Sequence, residues 1–536
     1  MNKLFYSIDE VDPISVGDKA YNLAQEVWNY DEALLVAMGS YLCLRSIYFQ
    51  AKKLGKENQT LLYLVDKKRC LFGLDSETVE ELRSRILTFD KKYIVIYLSC
   101  LDIITAVDYS PLVDRLEEDG IQTFVLERGP LVKGRKSVKE SLMDFLSRLE
   151  APKNKEEKKN LLPPLTPDIV GIANLAGDAS VKKFLLNPGG CGKCWKSFET
   201  PLQNQENCFF SKYDHMEGIF GLEERVPLDI KKIASEEKED QVELYVTNST
   251  TISGLDEDGI CENIEEAGHR VNYIKGDFLD YYRGTSTYLT KLAKSAKNYR
   301  MDSKGKTLVF GLNKNTFASF QAFEDSLEFI EDTNEFSLFQ KNEREGIKNI
   351  WSPSIEGYTG TKNLADRLNV PIYLGLPLGV NQTKEFFQML GLKERSASSS
   401  PDGHRKENLS IENVAILLDP WQGWRLSLFL KERGINSSIY TYAPEKELEE
   451  FFKESPYGEH IKYFSSGEDL RDIGSRHSYF IGDPLFFDGL KEKAGDRIST
   501  LSFPQPPLSG NMYSQGQSPF YFDDWETYFE KAWISL

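Results

Sequence analysis

Tyr93-Ile-Val-Ile-Tyr-Leu-Ser99 is a short run of β-branched and aromatic residues, the pattern of a buried strand. Displaced by 148 residues, Val242-Glu-Leu-Tyr-Val-Thr247 falls on it, with Tyr97 on Tyr245. Working outward, the same ungapped offset carries Cys43 onto Cys191 and Asp66 onto Asp214. It carries Cys70-Leu-Phe-Gly-Leu-Asp75 onto Gly218-Ile-Phe-Gly-Leu-Glu223, Asp108 onto Asp256, and Gly120 onto Gly268. No single match is specific; the register that keeps all of them in phase is. A period this long is a duplicated domain, since solenoid repeats run about 20–50 residues.

The chain has 536 residues, enough for three or four domains at about 150 residues each. Hydrophobic residues make up 40% of it, which allows packed cores and excludes global disorder. A net charge of −18 lacks the basic face a nucleic-acid binder needs. No apolar run approaches the ~18 residues of a membrane span. Met1–Glu10 turns acidic before a signal-peptide core develops, so a cytoplasmic location is expected. There the seven cysteines are expected to be reduced, as buried packing or as metal ligands.

Strands alternate with helical stretches of 10–15 residues along the chain, which predicts an α/β protein of several doubly wound, parallel-sheet (Rossmann-like) domains with the first duplicated. The first copy spans 1–150. A charged linker occupies 151–166, where Ala151-Pro-Lys-Asn-Lys-Glu-Glu-Lys-Lys-Asn160 suits no core. The second copy spans 167–305. Further Rossmann-like domains follow at 306–395 and at 396–536, the last closed by the helix Asp523–Ile534.

Ligands in open parallel sheets sit beyond the carboxyl ends of the strands, where Cys100 directly follows the strand 93–99. Its counterpart in the second copy is Asn248. Cys43 closes Gly39-Ser-Tyr-Leu-Cys43, and Cys191 closes Asn187-Pro-Gly-Gly-Cys191. Gly189 and Gly190 leave backbone amides free to approach a bulky anion such as an inorganic sulfide cluster. Cys194 completes a C-x-x-C with Cys191, without the second pair that a closed zinc site needs. A thioredoxin-like dithiol is set against the Pro-Gly-Gly loop, because that motif opens a helix after a strand. Cys70, Cys208 and Cys261 read as buried hydrophobes.

This constellation resembles the component 1 family of nitrogenase, the α and β subunits of the molybdenum–iron protein, together with nitrogenase-like reductases and assembly scaffolds. Asn187-Pro-Gly-Gly-Cys191 is similar to the family's Gly-Pro-x-Gly-Cys loop. Asp214–Glu223 resembles its "D-x-V-F-G-G-E" stretch, and Thr247–Asp256 its "T-x-C-x-x-x-x-I-G-D-D" segment, with Asn248 in place of the cysteine. Leu364–Tyr373 and Gly379–Phe387 fit later family patterns. The resemblance implies an iron–sulfur cluster on Cys43, Cys100 and Cys191, with Cys194 as the fourth ligand, or Asn248, Ser249 or Asp66 in its stead. Four thiolates suit a [4Fe–4S] cluster. The family's earliest cluster cysteine has no equivalent in either copy. No cysteine follows Cys261 and no histidine follows His477, so no nitrogenase-type molybdenum cofactor is expected.

No G-x-x-x-x-G-K-[ST] occurs, and the resemblance implies that ATP is handled by a separate iron protein delivering electrons. It also leaves open a second component 1-like subunit or a homodimer. The function expected is a nitrogenase-like oxidoreductase component. The alternatives are a cofactor assembly scaffold, or a cluster-free Rossmann-like binding protein that kept the architecture.

Overall fold

The computed structural model describes residues 3–11, 23–127, 135–149, 164–165, 172, 181–187, 191–198, 207–213, 217, 222–235, 241–247, 250–251, 254–276, 281, 283–296, 299–310, 327–329, 345–391, 413–494, 497–509 and 523–534. The chain divides into two compact units. One holds 1–173 and 179–284, the other 174–178 and 285–536.

The first unit contains two sheets. After the short β1 (Phe5–Ser7), the first sheet is built from β2 (Ala33–Gly39), β3 (Thr60–Leu64), β4 (Tyr93–Leu98) and β5 (Gln122–Glu127), in the order β3-β2-β4-β5 and parallel throughout. Every residue of β2 is buried. The sheet is covered on both faces, which is why its central strands read as continuous apolar runs instead of alternating ones. Leu34, Val36, Ile94 and Ile96 face one core with Leu82, Leu112 and Leu116. Leu35, Ala37 and Val95 face the other with Trp28, Leu44 and Leu142.

The second sheet repeats this plan with β6 (Lys182–Leu186), β7 (Cys208–Ser211), β8 (Gln241–Val246) and β9 (Arg270–Lys275), in the order β7-β6-β8-β9. The bounds of β8 and β9 are those of β4 and β5 displaced by 148 residues (241 against 93, 270 against 122). The turns match as well. Asp108 accepts the Ser110 amide at 2.9 Å and Asp256 accepts that of Gly259 at 3.0 Å, each at the start of a helix. Gly120 and Gly268 both take positive φ, 79° and 94°, where each helix turns into the next strand and a side chain would be strained.

One strand breaks the symmetry. β1 pairs antiparallel with β7, Phe5 opposite Ser211, and the Asp229 carboxylate accepts the Leu4 and Phe5 amides at 2.6 and 3.0 Å. The start of the chain thus finishes the second sheet. Nothing in a three-residue strand announces that partner.

The second unit also holds two sheets, both wholly parallel. β10 (Tyr299–Val309), β11 (Leu327–Phe329), β12 (Glu345–Ser352) and β13 (Ile372–Leu374) are ordered β11-β10-β12-β13. β14 (Val414–Leu417), β15 (Ser437–Tyr442), β16 (Ile461–Phe464), β17 (Tyr479–Gly482) and β18 (Ser499–Ser502) are ordered β16-β15-β14-β17-β18. One apolar cluster runs through both, from Trp351 and Phe386 to Ile416, Phe429 and Trp525.

Asn369 takes a left-handed conformation (φ 53°) and caps the helix Tyr358–Leu368, so β13 begins only at Ile372. β10 has an irregular register between Met301 and Lys306. Of the linker 151–166, only Pro164 and Leu165 are described. Leu165 is fully buried and the Pro164 carbonyl accepts from the buried Arg45 guanidinium at 3.0 Å. That end of the segment is therefore packed within the first unit. Among the described residues no helix is long and apolar enough to cross a membrane.

Candidate iron–sulfur site

The two cysteines in register occupy corresponding places, each in the first turn of the helix that follows the first strand of its sheet. Cys43 lies in Tyr41–Leu54, after β2, and Cys191 is the first residue of Cys191–Phe198, after β6. These two helices pack against each other within the first unit. Cys100 opens the short helix Cys100–Ile104 beyond β4, in the same sheet as Cys43. Cys194 lies on the helix of Cys191, nearly one turn on. The side chains of Cys100 and Cys194, and the whole of Gly189, Gly190, Asn248, Ser249 and Asp214, lie outside the described residues. Asp66 is occupied locally: it accepts the Arg69 amide at 2.7 Å, capping the helix Lys67–Phe72, and pairs with the Arg69 guanidinium at 2.5 Å.

The structure corrects one inference from sequence. The Pro-Gly-Gly loop does not separate Cys191 from a helix; Cys191 opens one, just beyond a strand.

Around Cys43 the surroundings are tight. Gly39 has φ 155°, and a side chain there would lie 3.0 Å from Ser99 Cβ and 3.4 Å from Cys43 Cβ. Ser40 Oγ lies 3.5 Å from Cys43 Sγ. Ser99 and Asp102 form a reciprocal cap. One Asp102 oxygen accepts the Ser99 amide at 2.8 Å and its hydroxyl at 2.6 Å, while the other accepts the Tyr109 hydroxyl at 2.6 Å. Asp102 is only 2% exposed, and burial pushes its carboxyl above the ordinary range. Burial raises the Cys43 thiol too, the Ser40 hydroxyl opposing and the Asp102 charge adding to it. A metal at Cys43 must displace a firmly held proton. Sequence reading missed this network, although Ser99-Cys-Leu-Asp102 carries the spacing of a capping box.

The positions 148 residues on, in the second sheet, differ. Asn187 stands where Gly39 stands, and Thr247 where Ser99 does. Asn187 exchanges its backbone N–H and C=O with the Ser211 hydroxyl, both at 2.7 Å, and its Oδ1 accepts from the Thr247 hydroxyl at 2.7 Å. Its Nδ2 is buried with no partner among the described residues. Thr250 replaces Asp102 and donates to Glu257 at 3.0 Å, so the bond that tied Tyr109 to Asp102 recurs with donor and acceptor exchanged.

The remaining thiols behave as packing. Cys70 and Cys208 are 8% and 1% exposed, and burial pushes the thiols of Cys208 and Cys261 up to about 11. Cys43, Cys70, Cys191, Cys208 and Cys261 form no disulfide. Among the described residues no three metal-ligating side chains converge.

In the second unit the carboxyl ends of the two sheets converge. Arg425 Nε donates to the Leu374 carbonyl at 2.9 Å, Gln422 Oε1 accepts the Leu376 amide at 3.2 Å, and the Tyr358 ring meets Trp421 edge-on at 5.5 Å. Glu356, beyond β12, lies buried there, and Asp419, beyond β14, is half-buried. Burial and the Asp419 charge push Glu356 up to about 7.

Solved structures offer a likeness. Nitrogenase Cp1 at pH 6.5 aligns over 72% of this chain and 94% of its own, at 16% identity and a TM-score of 0.47. Nitrogenase Cp1 at pH 5 aligns over 76% and 96%, at 11% identity and 0.48. No family model and no curated protein matches the chain.

Proposed function

We propose that the chain is the cluster-bearing component of a nitrogenase-like reductase. A [4Fe–4S] cluster held by Cys43, Cys100, Cys191 and Cys194 would relay low-potential electrons, supplied by a separate ATP-dependent iron protein, to a substrate not yet identified. The observation that carries this reading is the packing of the helix Tyr41–Leu54 on the helix Cys191–Phe198. A duplicated fold thereby brings its two corresponding cysteine-bearing turns into one unit. We further propose that 1–150 and 167–305 are copies of one ancestral domain, on the strength of the shared strand order and the common displacement of 148 residues.

Anaerobic purification, iron and acid-labile sulfide analysis, and EPR of the dithionite-reduced protein test the reading. About four irons and four sulfides per chain or dimer, lost in Cys43→Ala and Cys191→Ala but kept in Cys208→Ala, are expected. A folded protein that takes up no iron on reconstitution refutes it. One observation favours a second reading: Cys191-Gly-Lys-Cys194 opens a helix after a strand, the setting of a redox dithiol. An iron-free protein that forms a reversible Cys191–Cys194 disulfide would establish that instead.

A further inference from the structure

Arg425 is 7% exposed, yet its charge has almost no partner. Of the five N–H donors of a guanidinium, only the Nε–H makes a hydrogen bond among the described residues, to the Leu374 carbonyl at 2.9 Å. Nη1 has a looser contact, 3.6 Å to a Glu385 oxygen, and the Glu385 side chain is 65% exposed. A carboxylate kept in water does little for a cation kept out of it. The guanidinium lies 4.2 Å from the centre of the Tyr373 ring. Tyr373 is 6% exposed, and its hydroxyl is buried with no hydrogen-bond partner among the described residues. Donors left short of acceptors inside a fold need a reason.

Several elements of the second unit build this corner. Tyr373 sits in β13, which runs at its carboxyl end into Gly375. Gly375 has φ 77°, and a side chain there would stand 3.1 Å from Arg425 Cγ, so glycine lets the arginine stem lie against the strand end. Gln382 donates to the Arg425 carbonyl at 2.8 Å and holds the helix Pro420–Lys431 at that residue. Tyr457 lies near enough to bias the Tyr373 phenol; it has φ 73° and stacks on Trp424 at 5.0 Å and 8°. Parallel sheets bind ligands beyond the carboxyl ends of their strands, and left-handed non-glycine residues gather at such sites.

We propose that Arg425 and Tyr373 together bind an oxyanion, the carboxylate or phosphoryl group of a small molecule. Two oxygens of the anion accept from Nη1 and Nη2 side by side, the geometry a guanidinium fork offers. The Tyr373 hydroxyl donates to one of them. Glu385 stands against the guanidinium until the anion replaces it. The site is independent of the cluster reading, since all its residues belong to the second unit.

The test is calorimetric titration of the full chain with inorganic phosphate and, separately, with succinate, at an ionic strength held constant with sodium chloride. Saturable binding of at least one is expected; phosphate alone assigns a phosphoryl group, succinate alone a carboxylate. Tyr373→Phe keeps the ring under the guanidinium and removes only the hydroxyl. It should fold as the wild type does and bind roughly tenfold more weakly or worse, the loss of one hydrogen bond to a charged group. Glu385→Gln removes the competing charge and should bind several-fold more tightly. A merely structural Arg425 would leave both affinities unmoved. No saturable binding of either anion by the wild type overturns the proposal, and so does an affinity unchanged in Tyr373→Phe. Arg425→Gln should abolish binding; if it does not fold, the other two variants decide.

Discussion

Replacing Glu356 with glutamine should change how the stability of the second unit depends on pH, and the size of the change follows from its surroundings. Burial and the neighbouring Asp419 carboxylate raise Glu356 from its ordinary 4.5 to about 7. The folded state therefore keeps a proton that the unfolded chain releases. For a carboxyl raised on folding, the contribution is complete below about 4.5 and is lost as pH rises through about 7. At about 1.36 kcal/mol per pKa unit, the loss amounts to roughly 3 kcal/mol in all, of which about 2.5 kcal/mol falls between pH 5 and pH 8. Glu356→Gln preserves the shape and cannot ionise. Relative to wild type it should thus gain about 2.5 kcal/mol between those two pH values, whatever its absolute stability. Trp351, Trp421 and Trp525 are buried in this unit, so urea unfolding followed by tryptophan fluorescence reports on it. A wild-type-minus-variant difference that is the same at pH 5 and pH 8 would refute the reasoning and place the carboxyl in contact with water.

Four further substitutions, at three positions, probe the first unit. Gly39→Ala meets Ser99 at 3.0 Å with a φ of 155°, while Gly120→Ala at φ 79° meets open space. The former should cost roughly 3 kcal/mol, from overlap plus strain, and the latter about 1 kcal/mol from strain alone. Hydrogen exchange of the amides in β2 and β5 checks the ranking, and equal losses would contradict it. Asp102→Ala strands the Ser99 amide and the Tyr109 hydroxyl and should cost about 2–3 kcal/mol. Asp102→Asn keeps an acceptor for Ser99, turns an N–H donor toward the Tyr109 oxygen in place of the second acceptor, and should also flatten the loss of stability as pH rises above the ordinary carboxylate range, a window set by the raised Asp102 carboxyl. Parallel urea titrations at pH 5 and pH 8 read both effects.

How legible the chain was depended on whether a feature is local. The strand Tyr93–Leu98 and the helix Asp523–Ile534 stand where their patterns predict, because periodicity is written in neighbouring residues. The correspondence of β4 with β8 was visible as a register. Ala33–Gly39 is as apolar as any strand here, yet it escaped notice beside its cysteine. The site was legible only as a set of cysteines. What surrounds them was not: Asp102 meets Tyr109, and Asn187 meets Thr247, through contacts the fold makes after the chain has turned back. Glu356 gave no signal at all, since a lone acidic residue shows its burial only once two sheets have met.

The β1 strand has a consequence for how the protein is made. Phe5–Ser7 leaves the ribosome about 200 residues ahead of its partner Cys208–Ser211, which at roughly 5–20 residues per second is some 10–40 s. Through that interval Leu4 and Phe5, fully buried at the end, have nowhere to go. The first sheet finishes while they wait, and the second closes only when they arrive. A synthesis pause placed between the two segments would lengthen that exposure, and chaperone binding to the nascent chain should follow its duration.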